Sequence, residues 1–534
     1  MPTGPQNLAE RITLDWPEDW RSLERGRTRE QFERDVLPKY LSVQRWFASK
    51  GTQIQRAVLK ERFEFTALEG NWLLAVYSAH LADGRSEDYF LPLAIAWDRH
   101  SAAAASADSA QTLANIRNRN QTGVLMEALF DSRFISGLVR AVEESKTFSD
   151  SGGQWRFSHT SACQPLQAAD ARKIRKIGAE QSNSSILIAD KLVLKAYRKI
   201  ERGIHPELEI GRYLTEVAHY RNTPPLVGAI ERLPPDGQPT ALAVIQAFVP
   251  NQGDGWSFSL SHLKQLFGGV RQGKTDVSIN HSYIALMERL GTRIGELQKA
   301  FAIETDDPGF RPRPITAEDV KSRKHEIQSE AETTFGLLAT ADRLLPPELK
   351  GRVQALLDQR RRVLNMISSF ELRPGQTLMK TRFHGDLHLG QVLVSDDDFY
   401  IIDFEGEPAR PFAQRRSMQS PLKDLAGMLR SLDYAAWSAL FECAADGADE
   451  IASLEEAATD WVRASSAALM RGYKGAAEGC PSYPADPETF RQLLDLLLLE
   501  KALYEIRYEL ANRPSWLRIP VEGILNLLAH PQGY

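Results

Sequence analysis

The order of apolar and polar residues changes character about halfway along the chain. In the first half, short apolar runs bounded by turn-forming residues predict β-strands, three in a meander and then a hairpin. In the second half, apolar residues recur every three to four positions, which predicts amphipathic helices. The predicted strands lie at 54–65, 72–81, 89–97, 186–189, 192–197 and 242–248, and the predicted helices lie at 125–144, 206–216, 285–300, 321–344 and 348–370.

The candidate chemistry lies in a polar stretch that interrupts the helical half. Asp386, Gln391 and Asp403 follow one another at intervals of five and twelve residues. Protein kinases place a catalytic Asp, a metal-binding Asn and a metal-binding Asp in this order, with the same first interval. Gln replaces Asn here, and Asp-Phe-Glu replaces Asp-Phe-Gly, which favours a kinase that does not act on proteins. A loop whose Asp residues only cap turns is the alternative, but three spaced groups would then coincide by chance.

A predicted hairpin brings the two metal-ligand candidates together. The apolar segments 391–395 and 399–403 are joined by three Asp residues, which is typical of a tight turn. Gln391 and Asp403 then lie side by side and offer oxygen ligands to Mg²⁺. Asp386, on the preceding loop, is free to accept a proton from an attacking hydroxyl.

A β-rich half followed by a helical half with the metal site predicts an α+β, two-lobed kinase fold. The β-rich lobe must then supply a cation for the phosphates of a nucleotide. Lys195 lies within an apolar strand, where a lysine is costly unless paired. Glu209 on the next helix is the first choice of partner and Glu207 the second, as in the strand-lysine and helix-glutamate pair of kinases. An edge-strand lysine that reaches solvent is the alternative.

Two further segments of the β-rich half are candidates for nucleotide contacts. The Ser/Asn-rich stretch 181–185 would cover phosphates with small side chains and backbone N–H groups, although most such clusters are simply turns. The end of the strand 242–248 is expected to be an interlobe hinge whose backbone binds adenine. The absence of a GxxxxGK[ST] loop near these segments argues against a P-loop NTPase. The nucleotide-binding candidates are Lys195, Glu209, Gln181, Ser182, Asn183, Ser184, Gln246 and Phe248.

Composition excludes several classes of partner. The net charge of −5 gives no reason to expect nucleic acid or an anionic membrane. The three cysteines are scattered and fit inert thiols in a reducing compartment. The N-terminus lacks the apolar core of a signal peptide, and the longest apolar run is too short to span a bilayer. We therefore expect a cytoplasmic protein with no nucleic-acid or membrane partner.

The acceptor site is predicted near the C-terminus. Lys501, Tyr504 and Tyr508 fall at i, i+3 and i+7, on one face of a helix. Two aromatic rings beside charged groups suit a sugar, whose faces stack and whose hydroxyls need partners. An ordinary amphipathic helix with buried tyrosines is the alternative.

Several segments, in the same order over nearly the whole chain, resemble bacterial maltokinases. They are residues 44–47, 180–183, 251–256, 384–393, 403–408, 420–430 and 500–516. The resemblance implies a fold similar to eukaryotic-type kinases and aminoglycoside phosphotransferases. It implies an N-terminal cap at 1–125, a β-rich intermediate subdomain at 126–250 that binds the nucleotide, and a helical C-lobe at 251–534.

The resemblance also implies roles for individual residues and a partner. Glu500 is expected to join the sugar site, and Asp424 to brace the catalytic loop from behind. His384 is expected to fix that loop by hydrogen bonds instead of acting as a base. Residues 14–34 resemble the junction in trehalose synthase–maltokinase fusions, so trehalose synthase, which supplies maltose, is an expected partner.

The resulting hypothesis is ATP-dependent phosphorylation of maltose at its anomeric hydroxyl, which yields maltose 1-phosphate for glycogen synthesis. Asp386 takes the proton, Gln391 and Asp403 hold Mg²⁺, and Lys195 binds the α- and β-phosphates. Lys501, Tyr504, Tyr508 and Glu500 hold the sugar. A kinase for another sugar such as glucosamine is one alternative, and a catalytically weak scaffold for trehalose synthase is another.

Overall fold

The fold is α+β, as predicted, and it divides into two compact units. The first comprises the described residues of Met1–Val217 and Pro224–Phe248, and the second those of Ala218–Thr223 and Val249–Tyr534. The computed structural model describes residues 11–17, 19–67, 70–97, 111–119, 121–177, 182–273, 277–341, 343, 345–373, 375, 377–408, 410–445 and 451–529.

Two β-sheets make up most of the first unit. Its strands are β1 (Thr13–Asp15), β2 (Ile54–Ala67), β3 (Gly70–Leu81), β4 (Ser86–Phe90), β5 (Leu93–Trp97), β6 (Thr112–Asn118), β7 (Gln121–Glu127), β8 (Thr147–Asp150), β9 (Gly153–His159), β10 (Ile174–Ile177), β11 (Asn183–Ile188), β12 (Leu192–Tyr197), β13 (Lys199–Ile200), β14 (Leu226–Leu233) and β15 (Thr240–Ala247). One sheet has the order β1-β6-β7-β5-β3-β4-β13, with β2 also paired to β3, and the other has the order β10-β11-β12-β15-β14-β9-β8.

The helices of this unit are short. They are α1 (Arg27–Gln31), which continues through a π-turn (Phe32–Val36) into α2 (Leu37–Val43), then α3 (Ser132–Glu143), α4 (Ala168–Ala171) and α5 (Pro206–Glu216).

One apolar core joins the two sheets of the first unit. Phe65 and Trp72 of the first sheet, Trp155 and Phe157 of the second, and Phe134 of α3 are all buried within it. Ring centroids of Phe65 and Phe157 lie 5.7 Å apart, so the aromatic contact runs directly from sheet to sheet. The core thus fixes the two sheets to each other inside this unit.

Two sequence predictions for the first unit need correction. The strand predicted at 89–97 is split into β4 and β5 around Pro92, because proline has no N–H for a ladder hydrogen bond. The helix predicted at 125–144 begins only at Ser132, since Leu125 still belongs to β7. Asp131 caps the helix by accepting the N–H of Arg133, which defines the true start.

The second unit is mostly helical and carries the candidate catalytic hairpin. Antiparallel β18 and β19 pair Val392 with Ile401 and Ser395 with Asp398, as the predicted turn requires. The helices are α6 (Gly255–Arg271), α7 (Val277–Phe301), α8 (Ala317–Thr340), α9 (Pro347–Asp358), α10 (Arg360–Ser369), α11 (Phe412–Arg415), α12 (Leu422–Ala445), α13 (Ile451–Ala477), α14 (Pro487–Asn512) and α15 (Arg518–Ala529), and the strands are β16 (Arg313–Pro314), β17 (Met379–Lys380), β18 (Val392–Ser395) and β19 (Asp398–Ile401).

Helices α7 and α13 touch backbone to backbone. A Cβ at Gly291 would lie 1.9 Å from the carbonyl oxygen of Leu469, and one at Gly472 would lie 1.8 Å from that of Glu288. Only glycine allows this approach. Among the described helices, none combines the length and apolar character that a membrane crossing would need.

Candidate active site

The loop between β17 and β18 carries Asp386, and Asp424 at the start of α12 supports it. The Asp424 carboxylate is buried and accepts the backbone N–H groups of His384 at 2.7 Å and Gly385 at 2.9 Å. Burial raises the pKa of Asp424, and the two N–H donors and nearby His384 act against that rise. Gly385 has a φ of 91°, a conformation that favours glycine. Asp424 therefore supports the loop that carries Asp386.

His384 ties the same loop to the strand that leads to Asp403. Its Nε2 lies 2.8 Å from the carbonyl oxygen of Ile402, and its Nδ1 accepts the N–H of Asp386 at 3.3 Å. Because a carbonyl only accepts, Nε2 carries the hydrogen and Nδ1 is the acceptor. Both ring nitrogens are therefore engaged in positioning the loop.

Gln391 and Asp403 lie side by side, in the arrangement that the hairpin predicts. The Gln391 side-chain amide donates to the Asp403 carboxylate at 2.9 Å. Asp403 has a φ of 67°, which costs a non-glycine residue roughly 1–2 kcal/mol and places it outside the regular strand. One carboxylate and one amide carbonyl are hard oxygen donors, so this pair fits Mg²⁺, which keeps several of its waters.

A recess in the second unit opens beside Asp386. The Lys501 ammonium lies 3.6 Å from the Asp386 carboxylate and 5.4 Å from the centre of the Tyr504 ring. Both Lys501 and Tyr504 line the recess. Burial raises the pKa of Tyr504 to about 12, with smaller effects from the Glu407 and Asp386 carboxylates. The other charged residues of its lining are Glu330, Glu407, Arg410, Lys423, Asp424 and Glu500.

The other two acceptor candidates have different surroundings. Tyr508 is 46% exposed and lies beyond the recess lining, with its ring stacked on that of Tyr504 at 6.4 Å. Glu500 is buried and accepts Lys423 at 2.8 Å and Arg323. Burial opposes ionisation, but these two cations prevail and lower the pKa of Glu500 to about 2. Glu500 thus anchors two cations at the edge of the recess.

Sequence reasoning missed several residues of the recess. Glu407 receives a hydrogen bond from Tyr504 and one from Arg410 at 2.5 Å, and Lys423 reaches Glu500. Glu407 lies four residues after Asp403, and Lys423 directly precedes Asp424. Their closeness in sequence to Asp403 and Asp424 could therefore have indicated that they belong to the site. Glu330 lies on helix α8, far away in the sequence, and no such pattern pointed to it.

In the first unit, Lys195 lies on an interior strand, which rules out the edge-strand alternative. Strand β12 is paired on both sides, with Ser185 and Val244 opposite Lys195. The carboxylate beside it is that of Glu207, at 2.8 Å, which corrects the first choice of Glu209. The two glutamates are about 200° apart around the helix, so only one can point squarely at the strand. Glu207 is buried, whereas Glu209 is half-buried.

The expected phosphate-covering stretch is only partly available to a ligand. Gln181 lies outside the described residues, Ser182 is exposed, and Asn183 begins β11. Ser184 is 1% exposed, and its hydroxyl accepts the Arg198 guanidinium at 2.8 Å. Its side chain is therefore a structural contact, which corrects the expectation that it binds nucleotide. Alternation along β11 turns it inward.

Arg198 connects this stretch to the first sheet. Its guanidinium is fully buried, pairs with Glu127 and lies 4.8 Å from the centre of the Trp46 ring. Glu127 also accepts the Tyr40 hydroxyl at 2.8 Å. Trp46 thus packs against a buried ion pair.

The end of β15 is partly committed to backbone pairing. Gln246 pairs with Val193 and Leu226 on the neighbouring strands. The Phe248 N–H donates to the Lys191 carbonyl at 2.7 Å. An adenine contact by the Phe248 backbone would therefore have to use its carbonyl oxygen.

The fold as a whole and one segment of the chain are similar to known proteins. Glucosamine kinase in complex with glucosamine, ADP and inorganic phosphate has the same fold, with a TM-score of 0.62 at 17% identity over 92% of this chain and 99% of that one. Residues 40–131 match the maltokinase N-terminal cap domain. The predicted kinase-like α+β fold is therefore confirmed.

Two curated relatives are similar to this chain over about two thirds of its length. The chain is 24% identical to a glucosamine kinase of Mycolicibacterium smegmatis over 364 residues, which cover 67% of this chain and 80% of that protein. It is 22% identical to a glucosamine kinase of Streptacidiphilus jiangxiensis over 362 residues, which cover 68% of this chain and 75% of that protein. The chain is thus similar to glucosamine kinases over about two thirds of its length and matches the maltokinase cap domain in its first unit.

Proposed function

We propose that the protein transfers the γ-phosphoryl group of ATP to the anomeric hydroxyl of maltose and releases ADP and maltose 1-phosphate. The observation that carries the proposal is the position of Asp386. Its carboxylate lies in a recess lined by Lys501 and Tyr504, on a loop held by Asp424 and His384. A sugar hydroxyl in this recess would meet a proton acceptor and two hydrogen-bonding groups at once.

Asp386 is proposed to orient the acceptor hydroxyl and to take its proton as the new P–O bond forms. The bond between the γ-phosphorus and the bridging oxygen breaks, and ADP leaves with that electron pair. Because the transition state of phosphoryl transfer is loose, positioning supplies most of the acceleration. Lys501 would fix the Asp386 carboxylate and donate to a neighbouring sugar hydroxyl.

The remaining roles concern the nucleotide and the metal. Lys195, aligned by Glu207, is proposed to bind nucleotide phosphates, with Ser182 and Asn183 as further candidates. Gln391 and Asp403 are proposed to hold Mg²⁺, which would neutralise phosphate charge. The three-subdomain division at 125 and 250 belongs to the same proposal.

A neutral acceptor suits the recess better than an amino sugar. Each carboxylate in the described lining already faces a cation or a pair of N–H donors. A glucosamine ammonium would have to share a carboxylate with a lysine, an arginine or two N–H donors, whereas neutral hydroxyls need no unpaired charge. The pairs are Glu330–Arg507 at 3.3 Å, Asp386–Lys501 at 3.6 Å, Glu407–Arg410 at 2.5 Å and Glu500–Lys423 at 2.8 Å, and Asp424 accepts two backbone N–H groups.

Glucosamine is the second candidate acceptor, because the curated relatives and the solved structure are glucosamine kinases. With maltose as acceptor, the product would feed glycogen synthesis in the cytoplasm, and trehalose synthase would supply the substrate as a partner. The resemblance of residues 14–34 to the fused junction supports that partner.

The test is ATP consumption with Mg²⁺ against maltose, glucose, glucosamine, trehalose and maltodextrins, followed by NMR of the product. Maltose-dependent consumption with phosphate on the anomeric oxygen is the expected result. Preference for glucosamine would refute the charge argument and retain the kinase. No ATP binding at all would favour the scaffold alternative.

A further inference from the structure

A row of partly exposed aromatic side chains leads away from the acceptor recess. It begins at Tyr504, which lines the recess, and continues to Tyr508, whose ring lies at 24° to that of Tyr504. The guanidinium of Arg513 lies over the next two rings, 5.6 Å from the centre of Tyr508 and 4.3 Å from that of Trp516. Tyr508 is nearly half exposed, so the row runs along the surface.

The row continues onto helix α12. Phe441 lies 5.7 Å from Trp516, and Trp437 lies 5.8 Å from Phe441, measured between ring centroids. All three rings are partly exposed. We define the aromatic track as Tyr504, Tyr508, Arg513, Trp516, Phe441 and Trp437.

The sequence builds the track from three short patterns. Trp437 and Phe441 are four residues apart on α12, and so are Tyr504 and Tyr508 on α14, which places each pair on one helix face. The 3₁₀ turn Pro514–Leu517 carries Trp516, whose indole lies between the two pairs. Arg513 donates twice to Glu509, at 3.0 and 2.8 Å, so its plane is held in position.

A groove lies at the far end of the track. It is lined by Trp437 and by Arg518, whose guanidinium lies 4.3 Å from the centre of the Trp437 ring, with Thr459 and Asn526 among its polar groups. Its volume is about 870 Å³, within the roughly 300–1,000 Å³ range typical of ligand sites.

We propose that the aromatic track binds a chain of α-1,4-linked glucose residues whose reducing end occupies the acceptor recess. A pyranose ring has an apolar face that stacks on an aromatic ring and an edge of hydroxyls that needs hydrogen bonds. The track combines five aromatic rings with the Arg513 guanidinium, and its first ring, Tyr504, lines the proposed acceptor recess. The proposal rests on the proposed function, and it extends the acceptor from maltose to linear maltodextrins.

The test compares maltoheptaose with maltose by isothermal titration. We expect the wild-type protein to bind maltoheptaose more tightly than maltose. Trp516→Ala and Trp437→Ala should each raise the Kd of maltoheptaose about three- to tenfold, while the Kd of maltose stays unchanged. Trp516→Phe and Trp437→Phe keep a ring and should retain most of the affinity.

A second measurement needs no variant. β-Cyclodextrin has no reducing end, so it should displace maltoheptaose without being phosphorylated. Equal wild-type affinity for maltose and maltoheptaose, or no displacement by β-cyclodextrin, would overturn the proposal. Because binding is measured without turnover, glucan binding without phosphoryl transfer would refute the proposed function alone.

Discussion

We expect the ion pair of Glu500 with Lys423 and Arg323 to stabilise the folded protein measurably. The two cations lower the pKa of the buried Glu500 carboxyl from 4.5 to about 2. A difference of this size between the unfolded and folded states corresponds to about 3 kcal/mol of unfolding free energy at neutral pH. Removal of one partner from a buried ion pair costs a similar amount, about 3–5 kcal/mol. We therefore expect Glu500→Gln to lower the unfolding free energy by about 3 kcal/mol at pH 7.

The pH dependence has a definite sign. Because the folded pKa is the lower one, the stabilisation is complete above pH 4.5 and is lost as the pH falls through about 2. Between pH 7 and pH 3.5, the difference between wild type and Glu500→Gln should shrink from about 3 to about 2 kcal/mol. Urea unfolding followed by tryptophan fluorescence at both pH values measures this difference.

A matched control lies on the same arginine. Glu326 also pairs with Arg323, at 2.9 Å, but its side chain is 55% exposed. Glu326→Gln should therefore change the unfolding free energy by less than about 1 kcal/mol. A Glu500→Gln effect no larger than this control at pH 7, or a difference that does not change with pH, would refute the reasoning.

Three further predictions concern activity. Asp386→Asn should lower kcat about 100- to 10,000-fold and leave the Kd of ATP, measured by calorimetry, unchanged. If the variant kept most of its kcat, Asp386 would not be the proton acceptor. Asp424→Asn keeps one acceptor for two N–H groups, so kcat should fall about 100-fold with an unchanged circular dichroism spectrum; full activity would mean that the loop needs no support. Glu207→Gln should raise the KM for ATP more than Glu209→Gln does, in steady-state assays with maltose saturating, and the opposite order would restore Glu209 as the partner of Lys195.

Local patterns predicted that Gln391 and Asp403 lie side by side. Gln391 and Asp403 are joined by one short hairpin, whose register follows from the turn and from the two-residue period of strands. Their distance of 2.9 Å thus depends on nothing remote in the chain. The helix Pro206–Glu216 was equally predictable, because Pro206 marks its first turn.

Features set by tertiary structure were harder to predict. The rotation of α5 about its axis decides between Glu207 and Glu209, and only packing against β12 sets that rotation. Burial of Ser184 depends on Arg198, a partner fourteen residues away that the loop itself does not reveal. Glu330 reaches the recess from another helix, so no spacing pattern in the sequence indicates that it lines the recess.

Under the proposed function, helix α14 limits how the acceptor specificity can change. It lines the recess through Leu497, Glu500, Lys501 and Tyr504, four positions within eight residues. One inserted residue upstream in the helix would turn all four by about 100° and shift them by about 1.5 Å. New specificities can therefore arise here by substitution, while insertions and deletions between Pro487 and Leu497 would destroy the recess.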